Sequence, residues 1–267
     1  MNLTDKVVVI TGAGSGIGRA LAVQLSQAGC RLALSDIDEQ GLAETVAALS
    51  DPEKVKSDKL DVANKDAFFA YADDVVSHFG QADVIINNAG VAVSANVDEC
   101  DIENYEWLLG INMWGVLYGT KAFLPYFKKA DTGKIVNISS VFGLIAVPAL
   151  SAYNMSKFAV RGLNEALWQE LEGSNISCLS VHPGGIATKI AENARSAGED
   201  GSEKISDISK VLDTTAESCA AQIIKAIKKD KRRILVGLDA KMMSLVQHLL
   251  PGSYYKILNF ILKIKMR

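Results

Sequence analysis

Three side chains in the second half of the sequence have the types and spacing of an acid–base site. Tyr153 and Lys157 are four residues apart, so on a helix they share one face and the ammonium can lie beside the phenol. An adjacent cation stabilises a phenolate and lowers the phenol pKa from its usual value of about 10. Ser140, thirteen residues before Tyr153, ends a predicted strand, where its hydroxyl could hydrogen-bond a substrate oxygen. These residues predict proton transfer by Tyr153 as general acid and base.

On its own, a Tyr-x-x-x-Lys pair is more typical of an exposed helix, so a second motif matters. Near the N-terminus, Thr-Gly-Ala-Gly-Ser-Gly-Ile-Gly (11–18) follows the first predicted strand and opens an amphipathic helix. Gly12 permits a tight turn, Gly16 lets the backbone approach a pyrophosphate, and Gly18 allows the helix to pack closely on the strand. The helix N-terminus adds free N–H groups and a positive dipole. Glycine-rich turns have many uses, but this placement predicts a dinucleotide site.

A carboxylate indicates which dinucleotide binds. Asp36 ends the second predicted strand, eighteen residues after Gly18. A carboxylate there accepts hydrogen bonds from the ribose 2′- and 3′-hydroxyls and repels a 2′-phosphate. Ser15 and Ile37, the two positions where a cation could neutralise that phosphate, are uncharged. The pattern predicts NAD and leaves NADP open; the alternative is that Asp36 caps the next helix.

Further motifs follow in order: Asn87-Asn88-Ala89-Gly90, Asn112, Asn137-Ile138-Ser139-Ser140 and Tyr153-Asn154-Met155-Ser156-Lys157. With them the chain resembles the short-chain dehydrogenase/reductase family from residue 3 to about residue 240. The resemblance implies hydride transfer between a nicotinamide and an alcohol or carbonyl carbon. It favours Ser140 over Ser139 as the catalytic serine. It also matches Asn112 to an asparagine that holds a water linking the lysine to solvent.

The same resemblance implies which residues contact the cofactor. The segment beside the adenine ribose corresponds to Asn88, Ala89 and Gly90, and the adenine pocket to Asp61 and Val62. The carboxamide site corresponds to residues 183–188 (Pro-Gly-Gly-Ile-Ala-Thr), which we call the Pro-Gly segment. The predicted cofactor contacts are Gly12, Ser15, Gly16, Ile17, Gly18, Asp36, Asp61, Val62, Asn88, Ala89, Gly90, Tyr153, Lys157, Pro183, Gly184, Ile186 and Thr188. His182 is interpreted as a packing residue. His78 and His248 have no partners at metal-ligand spacing, and no metal is predicted.

Alternating strands and helices must position these groups. Apolar β-branched runs alternate with helical segments from Lys6–Thr11 to Arg233–Val236, without a linker. We therefore predict one doubly wound α/β domain at 1–240, and the family resemblance implies a seven-stranded parallel sheet in the order 3-2-1-4-5-6-7. The polar stretch 189–213 is predicted to be a substrate lid, and 241–267 a C-terminal amphipathic helical extension.

Composition excludes several classes of protein. The 267 residues are 49% hydrophobic and 22% charged, which is typical of a protein with a substantial core. A net charge of −3 argues against nucleic acid as a partner. The four cysteines are far apart and are predicted to be reduced core thiols. The first strand begins too early to leave room for a signal peptide, so a cytoplasmic location is predicted.

The end of the chain and the predicted substrate side are apolar. Residues 254–267 combine an apolar helical face with four bases and no acid. Such a segment could lie on an anionic membrane surface, cover an apolar pocket, or be buried in the interface of a homodimer or homotetramer. The loop between Ser140 and Tyr153 is mostly apolar, as are Met242 and Met243. We expect a hydrophobic alcohol or carbonyl compound, such as a lipid-like, steroid-like or long-chain molecule.

Two other functions compete with this interpretation. A regulator that binds NAD without catalysis would tolerate loss of Ser140, Tyr153 or Lys157, yet all three are present. A sugar-nucleotide epimerase or dehydratase shares the Tyr–Lys pair. It would normally carry a larger C-terminal substrate domain and a Gly-x-x-Gly-x-x-Gly turn, neither of which the sequence shows.

Overall fold

Strands that are apolar along most of their length form the centre of the molecule. The computed structural model describes residues 1–188, 190, 194–196 and 214–257. Within these residues, seven strands form one parallel sheet in the order β3-β2-β1-β4-β5-β6-β7, which confirms the prediction. The strands are β1 (Val7–Thr11), β2 (Arg31–Asp36), β3 (Val55–Lys59), β4 (Val84–Asn87), β5 (Gly133–Ile138), β6 (Ile176–Pro183) and β7 (Arg233–Val236).

Three strand ends shape the site. β1 begins at Val7, one residue after the predicted start at Lys6, and β2 ends at Asp36. β6 continues to Pro183. Its pairing with β5 stops at Val181, whereas its pairing with β7 runs on to Pro183. A proline can end a strand because no hydrogen-bond donor is needed there.

Helices cover both faces of the sheet. They are α1 (Gly16–Gln27), α2 (Glu39–Ala47), α3 (Lys65–Phe79), α4 (Ile102–Leu109), α5 (Val116–Ala130), α6 (Ser151–Glu170), α7 (Ala216–Lys228) and α8 (Leu238–Leu249). One apolar cluster joins α1 and α7 to the sheet through residues such as Leu21, Leu25 and Ile223. A second joins α3 and α5 to the opposite face through Phe68 and Phe123. The centre of the sheet is therefore buried on both sides, which explains why β1 and β4 are almost entirely apolar, whereas the edge strand β3 is not.

Two irregular turns lie next to the site residues. A π-helical turn, Gly110–Gly115, joins α4 directly to α5, and it was not predicted. Single π turns inside helices are frequent at functional sites. A 3₁₀ turn, Val141–Gly143, follows β5 immediately after Ser139 and Ser140. Both turns interrupt regular structure near the carboxyl ends of the central strands.

The C-terminal region continues from β7 into α8. Ala240 on α8 packs against Val141 and Ile145, so this helix contacts the 3₁₀ turn region. The predicted boundary at residues 240 and 241 falls inside α8. Of the predicted lid at 189–213, only residues 190 and 194–196 are described, and residues 258–267 of the predicted extension also lie outside the described residues. All four cysteines are free and buried, as predicted.

Candidate active site

A cavity of about 290 Å³ lies at the carboxyl ends of the strands, where the strand order reverses between β1 and β4. Open α/β sheets bind their ligands at such switch points. The cavity brings together every predicted site residue except Gly18 and Asn112. Its other lining residues are Ile37, Leu60, Val91, Ile111, Ile138, Ser139 and Ile190.

The glycine turn forms one end of the cavity. Gly12 and Gly16 have φ values of +65° and +50°, which glycine adopts without strain. A Cβ on Gly18 would overlap the carbonyl oxygen of Gly12, so this position permits the close helix–strand contact that the spacing predicted. The Asn88 amide donates to the carbonyls of Thr11 (2.9 Å) and Gly12 (3.0 Å) and ties the turn to the end of β4.

Asp36 lies at the same end and has two backbone partners. Its carboxylate accepts hydrogen bonds from the backbone N–H of Gly14 (2.7 Å) and of Asp38 (2.9 Å). Asp38, not Asp36, is the N-cap of α2 and accepts from Gly41 N–H. The capping alternative for Asp36 is therefore wrong. Because each carboxylate oxygen has two lone pairs, Asp36 retains acceptor capacity on the cavity wall.

Positive charge is scarce around this carboxylate. Arg19 is close in sequence, but its guanidinium donates to the carbonyl of Gly14 (2.6 Å) and to the carboxylate of Glu44 (2.9 Å), and it does not line the cavity. Among the described lining residues, Lys157 is the only cation. The wall beside Asp36 is continued by Ile37, which is apolar. This end of the cavity therefore offers a carboxylate acceptor and, among the described lining residues, no cation beside it.

Tyr153 and Lys157 form the other end of the cavity and share a face of α6. The Lys157 ammonium lies 5.4 Å from the centre of the Tyr153 ring and donates to the carbonyl of Ile138 (3.1 Å). Burial raises the pKa of Tyr153 to about 12, and a hydrogen bond with Ser140 offsets this only in part. Burial also lowers the pKa of Lys157 to about 8. The predicted lowering of the Tyr153 pKa is not seen in this arrangement, because desolvation by burial is the largest influence on the phenol.

The two serines that end β5 have different partners. The Ser139 hydroxyl donates to the carbonyl of Lys157 (2.9 Å), which fixes α6 against the strand. The Ser140 hydroxyl accepts from Phe142 N–H (3.1 Å) and is a hydrogen-bond neighbour of the Tyr153 phenol. Ser140 is thus the serine whose hydroxyl lies beside the phenol of Tyr153, and its catalytic role stays a prediction.

Asn112 is buried behind the cavity wall. It lies in the π turn, where its side chain accepts from Val91 N–H (2.9 Å) and donates to the carbonyl of Val91 (2.9 Å). Its amide also donates to the Ser156 hydroxyl (3.3 Å). These bonds hold Val91 in the cavity wall beside Gly90. The predicted role of Asn112 in holding a water stays a prediction.

Three residues near the site were missed by sequence reasoning. Asp239, in the first turn of α8, accepts from Gly185 N–H (2.7 Å), and a Cβ on Gly184 would overlap its carboxylate. Arg195 stacks on Trp107 with its guanidinium carbon 3.5 Å from the ring centre. His182 was interpreted as packing only, but its ring hydrogen-bonds the carbonyl of Ser140 (2.9 Å). These contacts join segments far apart in sequence, and no local spacing signals them.

Comparison with known proteins decides the family. A family model described as short chain dehydrogenase matches residues 6–199. The chain belongs to the short-chain dehydrogenase family. "Putative oxidoreductase SadH" of Mycobacterium tuberculosis is 46% identical over 257 residues, covering 94% of this chain and 93% of that protein. The family resemblance seen in the motifs is confirmed.

Solved structures of the family have the same fold. A short chain dehydrogenase/reductase from Burkholderia phymatum in complex with NAD matches with a TM-score of 0.88 and 30% identity over 94% of this chain and 95% of that one. A short-chain dehydrogenase from Streptomyces avermitilis matches with a TM-score of 0.84 and 27% identity over 96% and 98% of the two chains. The chain is accordingly an oxidoreductase of this family with a Rossmann-type dinucleotide-binding fold.

Two further properties concern membrane-spanning helices and metal-binding groups. None of the helices within 1–188 and 214–257 is long and apolar enough to cross a membrane. In the same part of the chain, no group of three or more His, Cys, Asp or Glu side chains is arranged to hold a metal ion.

Proposed function

We propose that this short-chain dehydrogenase uses NAD to interconvert an apolar alcohol and the corresponding ketone or aldehyde. One observation carries the proposal: a single cavity has a ribose acceptor, Asp36, and the glycine turn at one end, and Ser140, Tyr153 and Lys157 at the other. The NAD complex of the Burkholderia phymatum relative supports a nicotinamide cofactor. The uncharged wall around Asp36 favours NAD over NADP.

The residues present fit a dinucleotide. The positive φ values of Gly12 and Gly16 bring backbone rather than side chains to the wall, as a pyrophosphate needs. Asp36 can accept ribose hydroxyls, and Pro183, Gly184, Ile186 and Thr188 line the wall where the resemblance puts the carboxamide. When bound, NAD accepts a hydride from the carbinol carbon, and NADH donates one to the carbonyl carbon.

The proton of the reaction is donated and accepted by the chain's own residues. In reduction, Tyr153 donates its phenol proton to the carbonyl oxygen as that oxygen becomes an alkoxide, and the Ser140 hydroxyl donates a hydrogen bond to the same oxygen. Lys157, next to the ring, stabilises the phenolate that remains. Oxidation reverses the proton transfer, so the phenolate accepts the alcohol proton. The raised pKa of Tyr153 keeps the phenol protonated at neutral pH, which suits it to be the acid of the reduction.

The surroundings of Tyr153 indicate the substrate class. On one side it packs with partly exposed apolar residues of a cluster that includes Val91, Tyr105 and Trp107. On the other side the Phe142 ring meets the Tyr153 ring edge-on, with 6.4 Å between ring centres. Phe142 belongs to a further apolar cluster with Val141, Ile145, Met243 and Tyr254. A substrate carbon skeleton beside Tyr153 would contact mainly apolar surface, which favours an apolar molecule.

The predicted partners and location accompany this proposal. A homodimer or homotetramer is supported by large apolar side chains that are exposed around α5 and α6: Trp114, Met155 and Phe158. The predicted cytoplasmic location and membrane contact through 254–267 stay predictions, and residues 258–267 of that segment lie outside the described residues.

The test is NAD-linked turnover of two matched sets of alcohols. The purified protein is mixed with NAD or NADP and with apolar alcohols (cyclohexanol, menthol, decanol) or polyols (sorbitol, xylitol, glycerol), and the absorbance of the reduced cofactor is followed. We expect NADH formation with the apolar set and little with polyols or with NADP. Good activity on polyols with none on the apolar set would contradict the substrate class. A preference for NADP would contradict the cofactor.

A further inference from the structure

A chain of buried polar side chains crosses the sheet and ends at the main chain of Ser140. The Asn87 amide donates to Asn137 (2.8 Å), the Asn137 amide donates to Asn164 (2.7 Å), and the Asn164 amide donates to the Ser180 hydroxyl (2.8 Å). Ser180 Oγ lies 2.9 Å from His182 Nε2. Asn137, Asn164, Ser180 and His182 have no exposed surface. We refer to these five residues, from Asn87 to His182, as the buried polar chain.

The contact between His182 and the carbonyl of Ser140 fixes the direction of every hydrogen bond in the buried polar chain. His182 Nδ1 lies 2.9 Å from the carbonyl oxygen of Ser140, which can only accept, so Nδ1 carries the proton. In a neutral ring Nε2 is then an acceptor, and the Ser180 hydroxyl donates to it. Since Ser180 in turn accepts from Asn164, every donor points toward Ser140. Hydrogen bonds aligned in this way polarise and strengthen one another.

The environment of His182 keeps the ring neutral. Burial lowers its pKa to about 4. The hydrogen bond to Ser140 and the charge of Glu165 oppose this shift, whereas Arg161 and Arg233 add to it. A neutral ring is required for Nε2 to accept, so the electrostatics and the hydrogen-bond geometry agree.

The carbonyl of Ser140 connects the ends of two strands through a hydrogen bond. It accepts from His182 on β6 and also from Gly143 N–H (2.9 Å) at the end of the 3₁₀ turn, so both lone pairs are used. The residue after His182 is Pro183, which lines the cavity at the end of the same strand. His182 therefore connects the end of β5, which carries the serine, to the end of β6, which carries the Pro-Gly segment.

We propose that His182 is a positioning residue for the reaction: by holding the carbonyl of Ser140, it keeps the Ser140 hydroxyl aimed at Tyr153 and the substrate oxygen. Ser180 and Asn164 act through His182 by holding its ring in place. The inference rests on the proposed function, because it concerns the serine of that reaction. A purely structural role would require only that the buried ring have partners, with no effect on turnover when the protein stays folded.

The first experiment tests the direction of the chain without any substrate. The protein has three histidines, so nitrogen-15 NMR of the labelled full-length chain resolves their rings, and His182→Phe assigns the signal. We expect His182 to carry its proton on Nδ1 and not to titrate between about pH 5 and 8. Ser180→Ala should leave the proton on Nδ1, because the Ser140 carbonyl still requires a donor. A proton on Nε2 of His182 would overturn the proposal, because Nδ1 could not then donate to Ser140.

The second experiment measures the effect on turnover of cyclohexanol with NAD. We expect His182→Phe to lower kcat by about 10- to 100-fold, because a misplacement of a positioned group by about 1 Å can cost roughly 100-fold. KM and the Kd for NAD should stay close to wild type. His182→Asn should recover part of the loss, because its amide can donate near the position of Nδ1. Ser180→Ala should have a smaller effect in the same direction.

Cys178→Ala is the matched control. The Cys178 thiol is buried on the same strand and donates to Asn164 (3.2 Å), but it lies off the line that leads to Ser140. We expect it to leave kcat unchanged. Equal losses in Cys178→Ala and His182→Phe, or wild-type kcat in folded His182→Phe, would overturn the proposal. Should His182→Phe fail to fold, the kcat of Ser180→Ala and the tautomer of His182 in wild type decide between a positioning role and a purely structural one. If wild type oxidises no apolar alcohol, the proposed function fails, and the tautomer still decides the direction of the chain.

Discussion

The two ends of the cavity are built in different ways. At the cofactor end, glycines with positive φ and backbone N–H groups meet one carboxylate, and five of the lining residues come from a single stretch, 11–36. At the substrate end, apolar side chains come from the Val91 region, α4, the 3₁₀ turn, α8 and Tyr254. The first end depends on local backbone geometry and the second on tertiary packing. We therefore expect single changes to act sharply at the cofactor end and gradually at the substrate end.

Tyr153 carries the proton in the proposed reaction, and its loss should have the largest effect. Tyr153→Phe removes the proton donor but keeps the ring that packs against Phe142. Turnover should fall by about 10²- to 10⁴-fold, the usual contribution of a general acid or base. NAD affinity, measured by calorimetry, should stay as in wild type. The control is Tyr118→Phe, on α5 outside the cavity lining. Near-wild-type turnover in folded Tyr153→Phe would refute its assigned role.

A change at Asp36 should have the next largest effect and tests the cofactor end. Asp36→Ala removes a charged acceptor, and such hydrogen bonds contribute about 1.5–3 kcal/mol, or roughly 10- to 150-fold in Kd. We expect NAD binding to weaken by this amount and discrimination against NADP to relax. Asp38→Ala, which removes the N-cap of α2, should cost about 1 kcal/mol of stability without changing the ratio of NAD to NADP affinity. An unchanged ratio in Asp36→Ala would remove this carboxylate from the ribose site.

The catalytic residues include a buried charge, the ammonium of Lys157, and the cofactor end does not. The dependence of stability on pH should reveal this charge. Burial holds the pKa of Lys157 at about 8, below its unfolded value near 10.5. At this side chain the unfolded chain binds more protons than the folded one between these pH values, so Lys157 contributes a rise in stability as pH increases from about 8 to 10.5. Above about pH 9 the thiols of Cys30, Cys178 and Cys219, whose pKa burial raises, act in the opposite direction. Denaturant unfolding should therefore show stability rising more, or falling less, with pH in wild type than in Lys157→Met. Parallel pH profiles for the two proteins would contradict the assigned burial effect.

Tyr254 tests the substrate end, where we expect the smallest effect. Its hydroxyl oxygen accepts from Ala146 N–H (3.0 Å) and connects the C-terminal region to the loop after Ser140. Tyr254→Phe removes a hydrogen bond that contributes about 1 kcal/mol. We expect KM for cyclohexanol to rise several-fold while the Kd for NAD is unchanged. Tyr255→Phe, its exposed neighbour, is the control. A loss of NAD affinity instead would show that the two ends are not separable.

The same contrast explains what the sequence could predict. The glycine turn, Asp36 and the Tyr153–Lys157 pair depend on spacing within one strand–turn–helix unit or one helix, so their positions followed from the residues. The strand order followed from the family resemblance, and the structure confirms it. Even the choice of Ser140 over Ser139 agrees with their different hydrogen-bond partners.

The features that the sequence did not predict depend on burial or on contacts between segments that are far apart in the sequence. The pKa of Tyr153 was expected to fall because a cation is near, but desolvation of both groups cannot be estimated from spacing. The hydrogen bond between His182 and the carbonyl of Ser140 joins residues 42 apart in sequence, which no local spacing could predict. Likewise, the contact of Asp239 with Gly185 joins α8 to the end of β6 across 54 residues. Such contacts exist only once the strand ends are side by side.

The central claim is that this cavity passes a hydride between an apolar carbinol carbon and NAD. It is tested most directly with cyclohexanol that carries deuterium on its carbinol carbon, followed by mass spectrometry of the reduced cofactor. We predict that wild type forms NADH containing one deuterium and that Tyr153→Phe forms almost none in the same time. Reduced cofactor without deuterium, or no reduced cofactor from any apolar alcohol, would contradict the claim.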